Sequence, residues 1–438
     1  MQKKILDTES LCPVCLKKVR ASYIEENGSI YLQKKCEEHG DFKVLFWRDA
    51  ELYKEYLNNS VHDIKNEALP KTEKECPFDC GLCEEHEGKT CTAVLEITYR
   101  CNMHCPICFA DATKENYEPS LDKIKEMYYT VLKTGNKPSI QISGGEPTVR
   151  DDVDKIVKMG KNLGFAHIQV NTNGIRIANE KDYALKLKKA GTDLIYLQFD
   201  GLNDEIYLKT RGQKIFEIKK TAINNCREVG LGVLLVVTVS PNINLETIWD
   251  IIKFAKENMP CVRGVHFQPM SYFGRFPGNQ PLDENRCSLS DVLAAIEKQS
   301  DNELNIHDFT PRKRYDSHCA FSGLFYLNNI KTLIPIKDIQ NENSKDVNFA
   351  KKANEYTNKR WRLPENINNS KTKMEEFKNN LQLYTLSISG MGFQDCWNID
   401  IGRLKGCCVH VVSSDNKLIP LCIFHLTSID GKRVYQNA

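Results

Sequence analysis

Short apolar runs alternate with longer amphipathic stretches through the middle of the chain. Strand-length apolar runs are predicted at Ala93–Ile97, Ser139–Ser143, His167–Asn171, Leu194–Phe199, Gly232–Val239 and Gly264–Gln268. Amphipathic helices fit between them, for example at Leu121–Lys133, Asp151–Leu163 and Leu245–Glu257. Apolar strands that alternate with such helices indicate a parallel sheet covered by helices. The pattern predicts an α/β core over residues 92–285.

The first part of the chain, residues 1–60, shows a different pattern. Strands are predicted at Ser29–Gln33 and Lys43–Trp47, followed by a polar helix over Asp49–Asn58. Two short cysteine loops resemble the knuckles of a rubredoxin or zinc ribbon. Four side chains would close a tetrahedral site there: Cys12, Cys15, Cys36 and His39. The pattern favours a structural zinc over a functional site, and leaves mononuclear iron open.

A second group of cysteines occupies residues 61–91. Cys76, Cys80 and Cys83 have the spacing C-x3-C-x2-C, and Cys91 follows eight residues after Cys83. Four neighbouring thiolates suit a closed iron–sulfur cluster, which moves electrons or holds a substrate. A structural zinc is the alternative.

The same spacing recurs at Cys101, Cys105 and Cys108, directly after the first predicted strand of the core. A [4Fe–4S] cube held by four thiolates is closed, whereas one held by three keeps an iron open for a small molecule. Because active sites of such α/β folds lie at the carboxyl ends of the strands, we assign catalysis to this second C-x3-C-x2-C group.

Polar residues follow the later strands of the core at the same edge. Candidates for holding a cofactor are Ser143, Gly144, Gly145, Glu146, Pro147, Asn171, Asn173, Gln198, Asp200, Thr238, His266 and Gln268. Glycines let a backbone approach a ligand closely, and carboxylate or amide groups can orient its polar atoms. Each residue alone is compatible with ordinary turn chemistry. Together, at successive strand ends, they predict a binding site.

The last part of the chain, residues 286–438, becomes rich in cysteine again. Its candidate metal ligands are Cys319, Cys396, Cys407, Cys408 and Cys422. Residues from about 337 to 380 are polar, and they are interpreted as a solvated insertion or a helical lid.

Composition narrows the protein class. The chain has 438 residues, 41% of them hydrophobic, and a formal net charge of +2 with acids and bases interspersed. That balance argues against a broad nucleic-acid surface. We expect no signal peptide and no membrane-spanning helix, because no apolar run approaches the roughly 20 residues that a span requires. Eighteen clustered cysteines then indicate a cytoplasmic metalloprotein, while lone Cys226, Cys261 and Cys287 are expected to be buried and structural.

The three-cysteine loop followed by Gly144-Gly145-Glu146-Pro147 closely resembles the radical S-adenosylmethionine (SAM) superfamily. The resemblance implies a partial (β/α)6 barrel with a [4Fe–4S] cluster on Cys101, Cys105 and Cys108. It also implies reductive cleavage of SAM to a 5′-deoxyadenosyl radical that activates a C–H bond. A reductant such as ferredoxin or flavodoxin would supply the electron.

The order of the cysteine motifs is similar to one branch of that superfamily, which contains the archaeal tetraether lipid synthases and proteins described as dihydropterin methyltransferases. Within this branch, the segments Cys76–Cys83, Gly264–Gly274 and Ser389–Asp395 look closest to the TrsS family. The analogy implies one auxiliary cluster on Cys76, Cys80, Cys83 and Cys91, and another on the tail cysteines with Cys319. A partner radical SAM methyltransferase is also implied.

Three functions compete at this point. The first is C–C bond formation or modification on a lipid-like or other large substrate, with transient lipid contact. The second is C-methylation of a pterin or a peptide. The third is a non-catalytic iron–sulfur electron carrier, against which the three-cysteine site with Gly-Gly-Glu-Pro argues.

Overall fold

The computed structural model describes residues 2–58, 72–111, 117–135, 137–276, 281–311, 316–336, 361–363 and 372–435. Its first unit is a four-stranded antiparallel sheet with the strands in chain order. The strands are β1 (Lys3–Leu11), β2 (Lys18–Glu26), β3 (Ser29–Cys36) and β4 (Gly40–Trp47). Tight loops carrying cysteines lie at one end of this sheet. We call this unit the ribbon.

The core sheet is parallel, as the alternating pattern predicts. Its first strands are β5 (Thr92–Glu96), β6 (Ser139–Ser143), β7 (Ile168–Thr172), β8 (Leu194–Gln198), β9 (Gly232–Val239) and β10 (Val262–Pro269). Each pairs in parallel with the next one along the chain. Strands that are covered on both faces become continuous apolar runs, and β9 is almost entirely buried. The predicted α/β class is confirmed.

The tail extends this sheet at both edges, which the sequence does not reveal. Its strands are β11 (Thr310–Pro311), β12 (Ala320–Leu327), β13 (Leu333–Pro335), β14 (Thr385–Met391), β15 (Val409–Val412) and β16 (Leu418–Pro420). Strand β14 pairs in parallel with β10, and β15 in parallel with β5. Eight described strands therefore run in parallel, with antiparallel strands outside them. The described strands of the tail therefore share one sheet with the core.

Helices cover this sheet and connect its strands. The α-helices are Ala50–Asn58, Leu121–Leu132, Val153–Asn162, Ile175–Asn179, Tyr183–Ala190, Asp204–Arg211, Phe216–Glu228, Ile248–Glu257, Leu289–Gln299, Lys373–Leu383, Ile401–Lys405 and Leu421–Phe424. Single 3-10 turns lie at Pro147–Val149, Leu245–Thr247, Asp283–Asn285 and Ile306–Asp308. Of the helices that could be described, none has both the length and the apolar character needed to cross a membrane.

The ribbon packs on the tail. Ser10 donates through Oγ to the carbonyl oxygen of Ile399, and the buried ammonium of Lys34 donates to the carbonyl oxygen of Cys396 at 2.8 Å. Lys34 also donates to the Leu11 carbonyl at 2.7 Å. Lys34 thus links the ribbon to the tail by polar contacts, and Thr8, which donates to Asp400 at 3.0 Å, adds another.

One described residue of the polar insertion, Trp361, packs against the core sheet. Residues 337–360 and 364–371 lie outside the described part of the chain, but Trp361 packs against Leu194 and Leu234 inside the sheet. Its carbonyl oxygen lies 3.0 Å from the position that a Cβ on Gly232 would take. Gly232 and Leu194 begin their strands, so Trp361 sits at the amino end of the sheet. Trp361 therefore packs at the amino end of the sheet, whereas the neighbouring Arg362 is exposed. For the rest of residues 337–380 the solvated insertion or helical lid stays a prediction.

Candidate functional site

A cavity opens at the carboxyl ends of the parallel strands. Its lining includes thirteen of the residues singled out from the sequence: Cys101, Cys105, Cys108, Ser143, Gly144, Gly145, Glu146, Pro147, Asn171, Asn173, Gln198, Thr238 and Gln268. Side chains alternate between the two faces of each strand, which explains why these residues line the cavity together. Side chains two residues apart face the same side of a sheet, so Gln141 accompanies Ser143 and Tyr196 accompanies Gln198.

The three-cysteine loop is buried enough to change its acidity. Burial raises the pKa of the Cys101 thiol to about 12 and also raises the pKa of Cys105. The backbone N–H of Met103 donates to Cys101 Sγ at 3.4 Å. Because a metal ligand must be a thiolate, iron binding has to displace these protons. A cation at this loop would have to offset the cost of forming buried thiolates.

A second chain segment clamps this loop. The N–H groups of Cys108 and Arg275 each donate to the other residue's carbonyl oxygen at 2.8 Å. The Arg275 guanidinium donates to the Cys105 carbonyl at 2.8 Å and to Asp111 at 2.8 Å. Gly274 has φ +68°, and a Cβ there would lie 2.2 Å from the Phe109 carbonyl oxygen. Glycine is required for the clamp to approach the loop.

Gly144 and Gly145 serve a contact that differs from the predicted one. A Cβ on Gly144 would lie 2.2 Å from the Thr98 carbonyl oxygen, and one on Gly145 would lie 2.4 Å from that of Arg100. The Gly145 N–H donates to Thr98 at 2.8 Å. The glycines let this turn pack against the segment that leads into Cys101, besides lining the cavity.

Glu146 is held by the protein itself. Its carboxylate accepts from the Thr148 N–H and hydroxyl, the Thr172 hydroxyl and the Asn173 N–H, at 2.6–3.0 Å. The side chain is 2% exposed. Glu146 joins the turn after β6 to the turn after β7. Its carboxylate therefore has a structural role in addition to the predicted role of orienting a ligand's amino group.

Asp200 and Arg211 form a buried ion pair behind the cavity. Two guanidinium nitrogens donate to the two carboxylate oxygens at 2.6 and 2.9 Å. Burial alone would raise the pKa of Asp200, but the Arg211 charge and the hydrogen bonds hold it below its ordinary value. Arg211 also donates to Thr238 Oγ1 at 2.8 Å and to the Ile107 carbonyl at 3.0 Å. Arg211, rather than Asp200, lines the cavity.

Of two further candidates, His266 lies outside the cavity lining, and Asn173 lines the cavity but has its side chain bound to the cysteine loop. His266 does not line the cavity: it lies one step below Gln268 on the same face of β10, and its Nδ1 is 2.8 Å from Ser389 Oγ. The Asn173 side chain lines the cavity but is engaged by the cysteine loop, since its Nδ2 donates to Asn102 Oδ1 at 2.7 Å. It ties the turn after β7 to that loop.

Aromatic side chains form an apolar wall of the cavity. Phe109, Phe273 and Phe393 line it together with Met270 and Leu421. Phe109 and Phe393 are nearly parallel, with centroids 6.5 Å apart and an interplanar angle of 20°. The residues come from the cysteine loop, the segment after β10 and the tail. The lining therefore combines an apolar, aromatic wall with the polar groups of the strand ends.

The ribbon holds a compact metal site. The ligand atoms of Cys12, Cys15, Cys36 and His39 all lie within 4.8 Å of one another. The hydrogen bond with His39 lowers the pKa of the Cys36 thiol to about 7. Three sulfur atoms and one imidazole nitrogen at tetrahedral spacing fit a mononuclear zinc or iron ion.

Of the remaining cysteines, six form two groups and two form one pair. Cys76, Cys80 and Cys83 line a small pocket together with His86. In the tail, Arg403 donates to Cys319 Sγ at 3.0 Å. Burial, with the neighbouring thiols adding to it, raises the pKa of Cys407 and Cys422. Each group brings three thiols near one another, and cluster binding by them stays a prediction.

The fourth ligands that the resemblance implies are arranged differently. Cys91 and Cys408 form a disulfide with their Cα atoms 5.2 Å apart, so neither offers a free thiolate in this form. Cys396 lies beside Lys34 and Asp395, at the joint with the ribbon. The three lone cysteines, Cys226, Cys261 and Cys287, are free and buried.

Sequence reasoning missed several cavity residues. Arg211 and Lys219 belong to helices whose local pattern marks no function, and Lys219 is fully buried beneath the turn after β7. Phe273 and Phe393 lie within the segments Gly264–Gly274 and Ser389–Asp395, which the family resemblance singles out without assigning a role to either ring. That resemblance was the available signal.

Comparison with known proteins agrees with this geometry. The model of the radical SAM superfamily matches residues 95–255, and that of the HMPTM N-terminal zinc ribbon domain matches residues 5–48. A 7,8-dihydro-6-hydroxymethylpterin dimethyltransferase from Methanocaldococcus jannaschii is 36% identical, over 97% of this chain and 94% of the relative. A probable GTP 3′,8-cyclase from Methanothermobacter thermautotrophicus is 32% identical over 53% of this chain and 74% of its own.

Among solved structures, Streptococcus suis SuiB bound to S-adenosylmethionine is similar with a TM-score of 0.41 and 18% identity, over 49% of this chain and 48% of that one. A likeness of that size carries no further argument. The non-catalytic electron carrier is set aside, because the superfamily and the methyltransferase relative identify an enzyme. The TrsS assignment stays a prediction. This chain belongs to the radical SAM superfamily, in the family that includes the M. jannaschii pterin dimethyltransferase.

Proposed function

We propose that the chain is a radical SAM C-methyltransferase that acts on a reduced pterin or a similar flat heterocycle. The observation that carries this proposal is the mixed lining of the cavity. One lining brings together Cys101, Cys105 and Cys108, the polar strand ends, and the aromatic side chains of Phe109, Phe273 and Phe393. Flat rings stack well on aromatic side chains. The relative that aligns with 97% of the chain is named for methylating a hydroxymethylpterin.

In this proposal Cys101, Cys105 and Cys108 hold the [4Fe–4S] cluster, which supplies the electron that cleaves SAM. Arg275 and Arg211 hold the cysteine loop through the carbonyls of Cys105 and Ile107. Glu146 fixes the two turns that border the SAM side of the cavity. The aromatic wall orients the substrate and excludes water from the reacting carbon.

The reaction is balanced by two SAM molecules. One substrate C–H group, two SAM and two electrons give the methylated substrate, S-adenosylhomocysteine, 5′-deoxyadenosine and methionine. A low-potential one-electron donor such as ferredoxin or flavodoxin supplies the electrons, as radical SAM enzymes generally need a reductant.

The test uses the full chain, purified without oxygen, reconstituted with iron and sulfide, and reduced with SAM present. With 6-hydroxymethyl-7,8-dihydropterin we expect substrate-dependent 5′-deoxyadenosine, S-adenosylhomocysteine and a methylated pterin by mass spectrometry. If 5′-deoxyadenosine forms but the pterin stays unmethylated, the methyltransferase proposal is wrong while SAM cleavage stands.

A lipid-like substrate is the second candidate. Leu421 and Met270 add aliphatic surface to the apolar wall, and the cavity-lining Phe109 is 39% exposed. An alkyl chain could lie along this surface. A lipid fraction that raises 5′-deoxyadenosine without S-adenosylhomocysteine would favour it over the pterin.

A further inference from the structure

Lys219 is a charged side chain buried below the SAM side of the cavity. It lies in the first turn of the helix Phe216–Glu228 and is 0% exposed. Its ammonium donates to the Asn173 carbonyl oxygen at 2.5 Å and to Gln198 Oε1 at 2.7 Å. Both acceptors belong to residues that line the cavity at neighbouring strand ends. The lysine therefore supports the cavity lining from behind.

This ammonium lacks a carboxylate in direct contact: none of the ion pairs found among the described residues includes it. The nearby acids are already engaged, Asp200 by Arg211 and Glu146 by four donors from the protein. Burial lowers the pKa of Lys219 to about 7. Burying a charged group whose hydrogen-bond acceptors are all neutral costs free energy of folding. A role in orienting those acceptors would explain why the charge is there.

The lysine decides how the Gln198 amide is oriented. Lys219 Nζ carries N–H donors and donates to Gln198 Oε1 at 2.7 Å, so the oxygen of the amide faces Lys219 and the NH2 faces away. Gln198 Nε2 is buried and has no hydrogen-bond partner among the described residues. On the adjacent strand, Asn171 Oδ1 is likewise buried and unpartnered. A donor on β8 and an acceptor on β7, two register positions apart, are thus left for a polar ligand.

We propose that Lys219 is a positioning residue of the SAM site, which fixes the Gln198 amide so that Nε2 donates to an oxygen of SAM. The oxygen belongs either to the methionyl carboxylate or to a ribose hydroxyl. The proposal rests on SAM binding at this cavity and is independent of the second substrate. Lys219 touches Gln198 and Asn173 and acts through them.

Binding to the reconstituted, unreduced protein tests the proposal, because SAM is not cleaved there. Titration calorimetry measures the dissociation constant of SAM for wild type and for Gln198→Glu. The new carboxylate keeps an acceptor for Lys219 but removes the donor. We expect SAM to bind at least about tenfold more weakly, the scale of one lost hydrogen bond to a charged or polar group, with an unchanged or higher melting temperature.

A double-mutant cycle separates positioning from a structural role. Lys219→Met should weaken SAM binding, and Lys219→Met with Gln198→Met should be no weaker than Gln198→Met alone. Lys34→Met is the matched control, since Lys34 is also buried among carbonyl oxygens but lies at the joint with the ribbon. It should lower the melting temperature and leave SAM affinity within twofold of wild type.

Competition by methionine and by 5′-deoxyadenosine identifies the oxygen: Gln198→Glu should weaken only the first if it is the carboxylate, and only the second if it is the ribose. SAM affinity within twofold of wild type in Gln198→Glu would overturn the proposal. So would a Lys219→Met protein that is less stable but binds SAM normally, or additive effects in the cycle. Failure to methylate pterin would leave these binding results unaffected.

Discussion

The ribbon site and the cysteine loop of the core both use cysteine thiols as ligands, but their surroundings suit them to different roles. In the ribbon, Cys12, Cys15, Cys36 and His39 converge within 4.8 Å, and short β-loops supply all of them. A tetrahedral ion held by four such ligands has no position left for a substrate. This site can tie loops together, but it offers no room for chemistry.

The core loop supplies three thiols and opens onto a cavity. Cys101, Cys105 and Cys108 line it beside polar strand ends, and Arg211 and Arg275, which also line it, bind carbonyl oxygens of the loop. Thus the number of ligands and the presence of a lined cavity separate a structural site from a catalytic one. Changes at the two sites should have separable effects.

The largest expected effect is loss of SAM cleavage in Cys105→Ser. One of three thiolates is removed, so we expect 5′-deoxyadenosine formation to fall by at least about 1,000-fold, of the order seen when an essential group of a site is lost. Mass spectrometry of reduced, reconstituted protein measures it. The ribbon metal, counted by elemental analysis, should remain. Normal 5′-deoxyadenosine formation in this variant would contradict the ligand assignment.

The reciprocal change is Cys15→Ser in the ribbon. Structural zinc supplies on the order of 10 kcal/mol to the folding of small zinc domains, so the ribbon should lose its metal and its independent stability. Thermal melting and elemental analysis report this loss. SAM affinity of the core should change less than twofold, because the ribbon contacts the tail and not the cavity. A large loss of SAM affinity would show that the two sites are coupled.

Breaking the buried ion pair with Arg211→Met should destabilise the protein by about 3–5 kcal/mol, because Asp200 is left buried without its partner. Urea denaturation measures the free energy of unfolding. Lys253→Met removes an exposed ion pair with Asp250 and should cost less than about 1 kcal/mol. An equal loss of the free energy of unfolding in the two variants would show that burial does not determine how much an ion pair contributes to stability.

The smallest expected effect is the contribution of Lys219 to the pH dependence of the free energy of unfolding. Its pKa is about 7 in the fold and near 10.5 in the unfolded chain, so the unfolded state binds more protons between these values. The free energy of unfolding should therefore rise with pH in that window. The groups that act on Lys219 are Asp200, Arg211, Glu146 and Cys105.

Wild type should gain at least about 1 kcal/mol more than Lys219→Met between pH 7 and 9.5. Urea midpoints of the two proteins at both pH values provide the measurement. Parallel pH profiles would mean that Lys219 keeps an ordinary pKa in the fold.

Local pattern predicted much of the fold. Apolar runs located β6 and β9 with their observed bounds, and the other core strands to within two residues. The position of the Gly144-Gly145 turn after β6 also followed from the sequence. The tail strands β14 and β15 were missed, because their parallel partners β10 and β5 lie far away along the chain.

By itself the sequence determined which residues share a short loop: the ribbon knuckles, Cys101 with Cys105 and Cys108, and the polar ends of successive strands. Only the tertiary structure decided that Cys91 pairs with Cys408 across 317 residues, that Phe109 meets Phe393, and that Lys219 supports Gln198. The physical reason is that spacing along a strand or turn is fixed by local backbone geometry. Contacts between distant segments depend instead on how the whole core packs, which no local period encodes.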